Sequence, residues 1–361
     1  MQKVVGSNPI SRFEAPERRF SSPRLASLGA PSGRELMRHP TRIRALLRSR
    51  LARWHRGRYL ESAEFDALES RTVWIFGSPR SGSTWLLEML AEAREPGVAT
   101  IDETWAGELF NRGFAWPSED GDVTMVGSAD SHATLAGWVL AADREWLWRP
   151  LMRAFLLEGF EDQLTHGQAR TSWRRPYLVV KEPNTSDAAD VLVKLLPRTR
   201  ILFLIRDGRD IVDSLLDHFT TASWGAPKEL EWDGLRPEER QRLIAGSAAH
   251  WVYRMDAVQR ACQSVGPDAV LRVRYEHLLA ETPAELDRIA RWLGVDAPDG
   301  WAADVAGRHA FGRIPKEERG SGKFHRAATP GLWRQNMSAA EQALMREMMG
   351  GKLQELGYDA D

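Results

Sequence analysis

Glycine, serine and threonine residues surround a single arginine in the segment GSPRSGST, residues 77–84. Glycines and short hydroxyl side chains let a backbone turn tightly around an anion, and the arginine adds positive charge. A nucleotide-triphosphate P-loop has the frame G-x-x-x-x-G-K-[ST], whose lysine reaches the terminal phosphates. Here Ser83 stands at the lysine position, and the strong cation is Arg80. The segment therefore predicts a site for one phosphate and a group in transfer rather than for a triphosphate.

The residues on either side of this loop predict a strand and a helix. The run Val73–Phe76 is continuously apolar, and the residues after the loop are apolar at helical spacing: Trp85, Leu86, Leu87, Met89 and Leu90. A helix that begins here would direct its free N–H groups and the positive end of its dipole at an anion. The strand and helix would thus position the loop as a phosphate cradle.

A second group of polar residues follows another predicted strand. Arg206 comes directly after the strand-like run 200–205, and Ser214 lies almost two turns into a helix that starts near Gly208. Both side chains could reach one phosphate. Lys181 ends a third strand, so its ammonium group is expected at the same edge of the sheet. Two phosphate sites on one parallel sheet predict a nucleotide that is phosphorylated at two separate places.

The chain alternates strand and helix patterns. Predicted strands lie at 73–76, 98–105, 177–181, 200–205 and 269–275, and predicted helices at 187–196, 208–218, 237–265 and 283–293. This alternation is typical of an α/β, doubly wound fold with a mostly parallel central sheet flanked by helices, whose ligands bind at the carboxyl ends of the strands.

Two regions depart from this alternation. Residues 1–65 are predicted to form a basic N-terminal arm and a peripheral helix (34–59), which either docks on a membrane surface or acidic partner or simply caps the domain. Residues 66–361 form the main domain. Within it, residues 105–175 are rich in aromatic side chains and predict a helical insertion that could line an acceptor pocket.

The amino-acid composition of the chain argues against several classes of protein. The chain has 361 residues, 43% of them hydrophobic, and a formal net charge of -1, which argues against a general nucleic-acid binder. Cys262 is its single cysteine, so no internal disulfide is expected. No apolar run reaches the ~18 residues of a membrane span, and the N-terminus lacks a signal-peptide core. We therefore expect a reducing, cytoplasmic location.

Four segments of the chain together resemble the sulfotransferase family, which uses 3′-phosphoadenosine 5′-phosphosulfate. Residues 77–85 resemble the family's 5′-phosphosulfate loop, and residues 206–214 its 3′-phosphate motif. Residues 275–278 are similar to its tyrosine-bearing segment beside the nucleotide. Residues 326–334 are similar to its closing loop R-K-G-x-x-G-x-W-K, although Ala327 and Ala328 replace lysine and glycine.

This resemblance implies a P-loop-like fold and assigns roles to individual residues. Arg80 and Lys181 would stabilise the negative charge that develops as the S–O bond breaks. The adenine would lie between Trp85 and Phe311, and Arg326 would hold the 3′-phosphate. The implied nucleotide-binding set is Ser78, Arg80, Ser81, Gly82, Ser83, Thr84, Trp85, Arg206, Ser214, Tyr275, Phe311, Arg326 and Trp333. No metal is expected, because the donor is already activated and the protein supplies the cations.

The general base is predicted to be Glu103. Many family members carry a histidine two residues after the lysine, but this chain has Pro183 there. Asp102-Glu103-Thr104 resembles the glutamate-threonine step of family members that act on protein tyrosine. Glu182 and His218 are the alternative bases.

The predicted reaction is transfer of a sulfuryl group to a hydroxyl of a small molecule, natural product or carbohydrate. Two other functions stay open. The run 201–207 could imitate the strand-plus-aspartate magnesium site of a P-loop kinase, and the chain could be a non-catalytic nucleotide-binding protein. The oligomeric state does not follow from the sequence.

Overall fold

The computed structural model describes residues 63–93, 97–104, 106, 110, 114–117, 123–126, 145–166, 177–218 and 235–359. All of them belong to one compact unit, Trp54–Asp361. The predicted N-terminal arm and the helix predicted at 34–59 lie outside the described residues, as does much of the predicted insertion.

Seven strands are described: β1 (Thr72–Gly77), β2 (Val98–Asp102), β3 (Phe114–Pro117), β4 (Val123–Val126), β5 (Tyr177–Lys181), β6 (Arg200–Ile205) and β7 (Val270–Arg274). Five of them form a sheet in the order β2-β5-β1-β6-β7, and all its neighbouring pairs are parallel. The predicted mostly parallel sheet is therefore confirmed, with β1 and its phosphate loop at the centre.

The helices are α1 (Ala63–Arg71), α2 (Ser83–Ala91), α3 (Glu145–His166), α4 (Ala189–Leu195), α5 (Gly208–His218), α6 (Pro237–Gln263), α7 (Tyr275–Ala280), α8 (Thr282–Leu293), α9 (Trp301–Arg308), α10 (Trp333–Asn336) and α11 (Ala339–Glu355). Short 3-10 turns lie at Ser186–Ala188, Pro267–Ala269, Phe311–Arg313 and Lys316–Glu318. Within the described ranges, every helix is too short or too polar to cross a lipid bilayer.

Strand β1 contributes to a hydrophobic core on each face of the sheet, because successive side chains of a strand point in opposite directions. Val73 and Ile75 pack with α2 and α8. Trp74 and Phe76 enter the other core, where they meet α4 and α6, and their rings stack at 5.3 Å. Both faces are covered, so the continuous apolar run that predicted β1 is the pattern of a fully buried strand.

The region 105–175 contains more than the predicted helices. Helix α3 lies in this region, and β3 and β4 form a two-stranded antiparallel ribbon that the sequence did not predict. Each of these strands has four residues, which is too few for an alternating pattern to stand out.

Helix α1 crosses the boundary that the sequence predicted at residue 65. Its Phe65 and Leu68 are buried in the core, and Glu69 pairs with Arg153 of α3 at 2.6 Å. The described domain thus includes the chain from Ala63 onward.

Candidate active site

The phosphate loop between β1 and α2 has the conformation that its glycines allow. A Cβ at Gly77 would lie 2.4 Å from the carbonyl oxygen of Leu204 on the adjacent strand, so only glycine fits there. Arg80 and Gly82 have φ angles of 68° and 86°. Gly82 is the N-cap of α2 and brings no capping side chain, so the first N–H groups of the helix remain available to an anion.

Gly82 provides the first mutational prediction. An alanine Cβ at this position would lie 2.7 Å from the Tyr275 ring and would hold a left-handed φ, so Gly82→Ala should lower the free energy of unfolding by about 2–4 kcal/mol. A Cβ at Gly159, inside α3, would meet no atom within 4 Å, so Gly159→Ala should instead raise it by about 0.5–1 kcal/mol. Urea unfolding of the two variants checks this, and equal stabilities would contradict it.

Lys181 brings the end of β5 and the end of β2 together. In the parallel register of these strands, Asp102 lies opposite Lys181. The Lys181 ammonium contacts the Asp102 carboxylate at 2.6 Å, the Glu103 carboxylate at 2.9 Å and the Thr84 hydroxyl at 2.9 Å. Its side chain is only 4% exposed. The predicted lysine, the predicted base and the first turn of α2 therefore meet around one buried charge.

Glu103 is held in one orientation by the residues around it. Its N–H donates to the carbonyl oxygen of Lys181, and its φ of 47° is rare for a residue with a side chain. One carboxylate oxygen contacts Lys181, and the other accepts a hydrogen bond of 2.6 Å from the Asn184 side chain. Strained backbone of this kind concentrates at functional sites.

Glu182, an alternative base, lies on the other side of this cluster. It is fully buried, and its carboxylate accepts hydrogen bonds from the N–H and hydroxyl of Thr104 and from the hydroxyl of Thr185. Burial raises the pKa of Glu182, and the hydrogen bonds from Thr104 oppose that shift. Glu182 does not line the cavity described below, whereas Glu103 does. The side chain of His218 lies outside the described residues.

The second cradle begins where β6 ends. Arg206 donates a hydrogen bond to the Arg80 carbonyl oxygen of the phosphate loop, and its guanidinium lies 4.4 Å from the centre of the Tyr275 ring. The Ser214 hydroxyl, on α5, accepts a hydrogen bond of 3.0 Å from Arg80 Nε. The two cradles are thus adjacent, and Arg80 spans them.

Arg80 is placed differently from the sequence expectation. Its side chain turns to Ser214 and donates to the carbonyl oxygen of Phe324, whereas Lys181 is held by acidic residues and Thr84. Burial, followed by the charge of Arg206, lowers the pKa of Arg80. Arg206 and Arg326 both act on Arg80 through their positive charge, and such a concentration of guanidinium groups strongly attracts a polyanion.

Three aspartates of α5 hold the predicted closing loop and the segment just before it. Arg326 pairs with Asp213 at 2.7 Å, and the N–H of Gly331 donates to Asp210 at 2.8 Å. Asp217 accepts from the N–H of Gly322 at 2.8 Å. These aspartates are three and four residues apart, so they share one face of the helix. The guanidinium predicted to hold a 3′-phosphate therefore pairs with the residue that precedes Ser214 on α5, and both Arg326 and Ser214 line the cavity described below.

A cavity of about 1000 Å³ connects both cradles with Lys181 and Glu103. The predicted site residues that line it are Arg80, Gly82, Ser83, Thr84, Trp85, Glu103, Lys181, Arg206, Ser214, Tyr275, Phe311 and Arg326. Trp85, whose indole N–H donates to the His309 carbonyl oxygen at 2.9 Å, and Phe311 provide two aromatic walls. An adenine could stack there.

Three predicted residues do not line this cavity. Ser78 and Ser81 are buried within the phosphate loop. Trp333 is 3% exposed in the hydrophobic core, and the guanidinium of Arg209 stacks on its ring at 4.3 Å. Trp333 thus supports the closing loop from behind rather than contacting a ligand in the cavity. The sequence reasoning missed the roles of Asn184 and Asp213. The sequence signal for Asn184 is its position shortly after the end of β5, at the edge of the sheet where the other site residues lie.

Two buried polar atoms lack a partner within the cradles. Ser81 Oγ and Arg206 Nε are buried and have no hydrogen-bond partner among the described residues. Leaving such groups unsatisfied costs about 1–3 kcal/mol each. Of the two residues, Arg206 lines the cavity, so an anionic group bound in the second cradle could satisfy its Nε.

A parallel sheet that carries two adjacent anion cradles at the carboxyl ends of its strands defines a P-loop-like, nucleotide-binding α/β protein. A sequence model of the sulfotransferase family matches residues 72–299, more than half of the chain. The chain belongs to the sulfotransferase family, which confirms the resemblance seen in its motifs.

Several curated relatives are protein-tyrosine sulfotransferases. Protein-tyrosine sulfotransferase A of Caenorhabditis elegans is 26% identical over 244 residues, 66% of this chain and 55% of that protein. Protein-tyrosine sulfotransferase 2 of Gallus gallus is 25% identical over 232 residues, 64% of this chain and 53% of that protein. The chain therefore spans about half the length of these relatives.

The similar solved structures are more distant in sequence. Mouse sulfotransferase SULT7A1 complexed with PAP is 13% identical with a TM-score of 0.45, covering 82% of this chain and 90% of that chain. Sulfotransferase STF9 from Mycobacterium avium is 15% identical with a TM-score of 0.45, covering 86% of this chain and 82% of that chain.

Proposed function

We propose that this protein transfers a sulfuryl group from 3′-phosphoadenosine 5′-phosphosulfate to an acceptor hydroxyl. The observation that carries the proposal is the adjacency of the two cradles, because Arg206 bonds to the phosphate loop and Arg80 bonds to Ser214. A single adenosine with a phosphate at each end suits this spacing. The buried Arg206 Nε, which has no hydrogen-bond partner among the described residues, adds support from the second cradle.

The proposed site divides the donor among elements of the chain. The N-terminus of α2, with Ser83 and Thr84, would hold the 5′-phosphate. Arg206, Ser214 and Arg326 would hold the 3′-phosphate, and the adenine would lie between Trp85 and Phe311. The donor supplies an activated sulfuryl group, so the protein has only to position it, neutralise charge and remove one proton.

The proposed reaction needs one base and one cation. Glu103 would accept the hydroxyl proton as the acceptor oxygen forms its bond to sulfur. Lys181 would stabilise the charge left on the 5′-phosphate as the S–O bond breaks. The products are then a sulfate ester and adenosine 3′,5′-bisphosphate. The hydrogen bond from Asn184 would hold the Glu103 carboxylate in place for this proton transfer.

For the acceptor we propose a small-molecule or carbohydrate hydroxyl, and for the cellular location the cytoplasm, as the sequence favours. Because the curated relatives are named protein-tyrosine sulfotransferases, a tyrosine phenol is a second candidate acceptor. A screen with labelled donor against phenols, sugars and tyrosine peptides would choose between these classes, and transfer to none of them would favour the non-catalytic alternative.

The kinase alternative loses its main support. Family membership favours sulfuryl transfer. The carboxylate of Asp207, which could have served a magnesium site, is instead engaged by the backbone N–H and guanidinium of Arg209 at 2.9–3.3 Å. It is also largely buried.

Calorimetry tests the donor site. The unmodified chain should bind adenosine 3′,5′-bisphosphate much more tightly than ATP, and Arg206→Ala should weaken that binding by about 10–100-fold, the usual cost of a charged hydrogen bond. Ser214→Ala should weaken it by about five- to tenfold, because a neutral hydroxyl contributes less. Unchanged affinity in both variants, or tighter binding of ATP, would overturn the proposed donor.

A further inference from the structure

A guanidinium group is buried behind the phosphate loop, and neither the sequence motifs nor the proposed mechanism uses it. Arg254, on α6, is only 6% exposed. Among the described residues no carboxylate pairs directly with it, and its Nε is buried without a hydrogen-bond partner. Burial lowers the pKa of Arg254 more than the charge of Asp187 raises it, so keeping this cation buried costs folding free energy.

Arg254 contacts the two parts of the site that must work together. Its Nη1 donates to the Ser78 hydroxyl at 3.4 Å, and its Nη2 donates to the carbonyl oxygen of Asn184 at 3.2 Å. Ser78 belongs to the phosphate loop, where its carbonyl oxygen accepts from Ser81. Asn184 is the residue that holds Glu103. One guanidinium therefore joins the phosphate cradle to the support of the base.

The guanidinium of Arg254 keeps its positive charge beside a neutral imidazole. Its Nη2 lies 3.2 Å from His250 Nε2. Arginine can only donate, so this imidazole nitrogen must accept, and His250 is neutral. Burial, followed by the charge of Arg254, lowers the pKa of His250, which agrees with that state. Asp187, 3.9 Å from His250 Nε2, is the acidic group beyond it.

We propose that Arg254 is a positioning residue for sulfuryl transfer: it ties the phosphate loop to the Asn184–Glu103 pair and places a buried positive charge behind the 5′-phosphate site. This inference rests on the proposed function. It predicts that Arg254 influences both the affinity for the nucleotide and the rate of turnover, although it does not touch the cavity.

The test compares Arg254→Met with Arg260→Met. Arg260 lies on the same helix, but its side chain is 44% exposed and pairs with Asp190 at the surface, so its replacement should change neither quantity. Arg254→Met should weaken binding of adenosine 3′,5′-bisphosphate about tenfold in calorimetry and lower turnover per folded molecule about a hundredfold. Thermal unfolding gives the folded fraction in each sample.

Two further variants separate positioning from simple loss of stability. Ser78→Ala should weaken nucleotide binding in the unmodified chain but not in the Arg254→Met background, because the contact is already absent there. Arg254→Lys keeps the charge but cannot reach both acceptors, so it should lower turnover about tenfold while nucleotide affinity stays within about twofold. This variant carries the test if Arg254→Met does not fold.

The outcomes distinguish this inference from the proposed function. If the unmodified chain binds adenosine 3′,5′-bisphosphate, and Arg254→Met or Arg254→Lys matches it in affinity and turnover, the positioning role is wrong and the proposed function stands. If the unmodified chain does not bind the nucleotide, the proposed function falls, and the role of Arg254 falls with it.

Discussion

Replacing Glu103 with glutamine is expected to lower turnover by about 10²–10⁴-fold, the usual contribution of a general base. Glutamine keeps the size of the side chain and can still bond to Asn184, but it cannot accept the proton of the acceptor hydroxyl. Affinity for adenosine 3′,5′-bisphosphate should stay within about threefold, because Glu103 lies beside Lys181 rather than in either phosphate cradle. Steady-state kinetics and calorimetry on the same preparation measure both quantities.

Asp102→Asn is the matched control. Asp102 is the neighbouring carboxylate on the same ammonium group, 2.6 Å from Lys181, but its side chain is 59% exposed. Removing its charge changes the field at Lys181 without removing the base, so turnover should fall by less than about tenfold. A Glu103→Gln variant that keeps full activity would contradict the assignment. A loss in Asp102→Asn as large as that in Glu103→Gln would show that the charge of the cluster matters and not the base.

Much of the fold could be predicted because it depends on local patterns. Strands β5 and β6 have the predicted bounds 177–181 and 200–205, since continuous apolar runs between polar ends identify buried strands. The cradle at residues 77–84 followed from its position between a strand and a helix. The meeting of Lys181 with Glu103 was also within reach of the sequence, because parallel strands end at the same edge of a sheet.

The direction of the Arg80 side chain could not be predicted in the same way. It depends on the φ of 68° at Arg80 and on Ser214 and Phe324, which lie far away in sequence. The pairing of Arg326 with Asp213 likewise depends on how the closing loop folds back on α5. Such contacts arise from tertiary packing, which a motif does not encode.

The closing loop has a left-handed residue at a position where it departs from the family motif. Ala328 stands where the family pattern has glycine, so the sequence leaves open whether the loop has the family's backbone geometry. The structure gives Ala328 a φ of 47°, the left-handed conformation that glycine adopts easily. The loop therefore keeps a glycine-like backbone turn at a cost of about 1–2 kcal/mol, and the contacts of Asp210 and Asp213 with Gly331 and Arg326 help to hold it.

Replacing Lys181 with methionine is expected to lower turnover by about 10²–10³-fold, the cost of removing one preorganised charge from a developing anion. The variant also leaves the Asp102 and Glu103 carboxylates without the ammonium group between them. Lys194→Met is the matched control, because Lys194 is an exposed lysine that pairs with Glu145 at 3.1 Å. The turnover of this control variant should equal that of the unmodified chain.

The double variant Lys181→Met, Glu103→Gln tests whether the two residues act as a unit. If Lys181 stabilises the leaving phosphate while Glu103 removes the proton in the same step, neither group helps much without the other. The turnover of the double variant should then lie within about tenfold of the turnover of the slower single variant. It should not fall by the product of the two separate losses. Fully multiplicative losses in single-turnover measurements would mean that the two residues act independently, and their contact at 2.9 Å would then be structural.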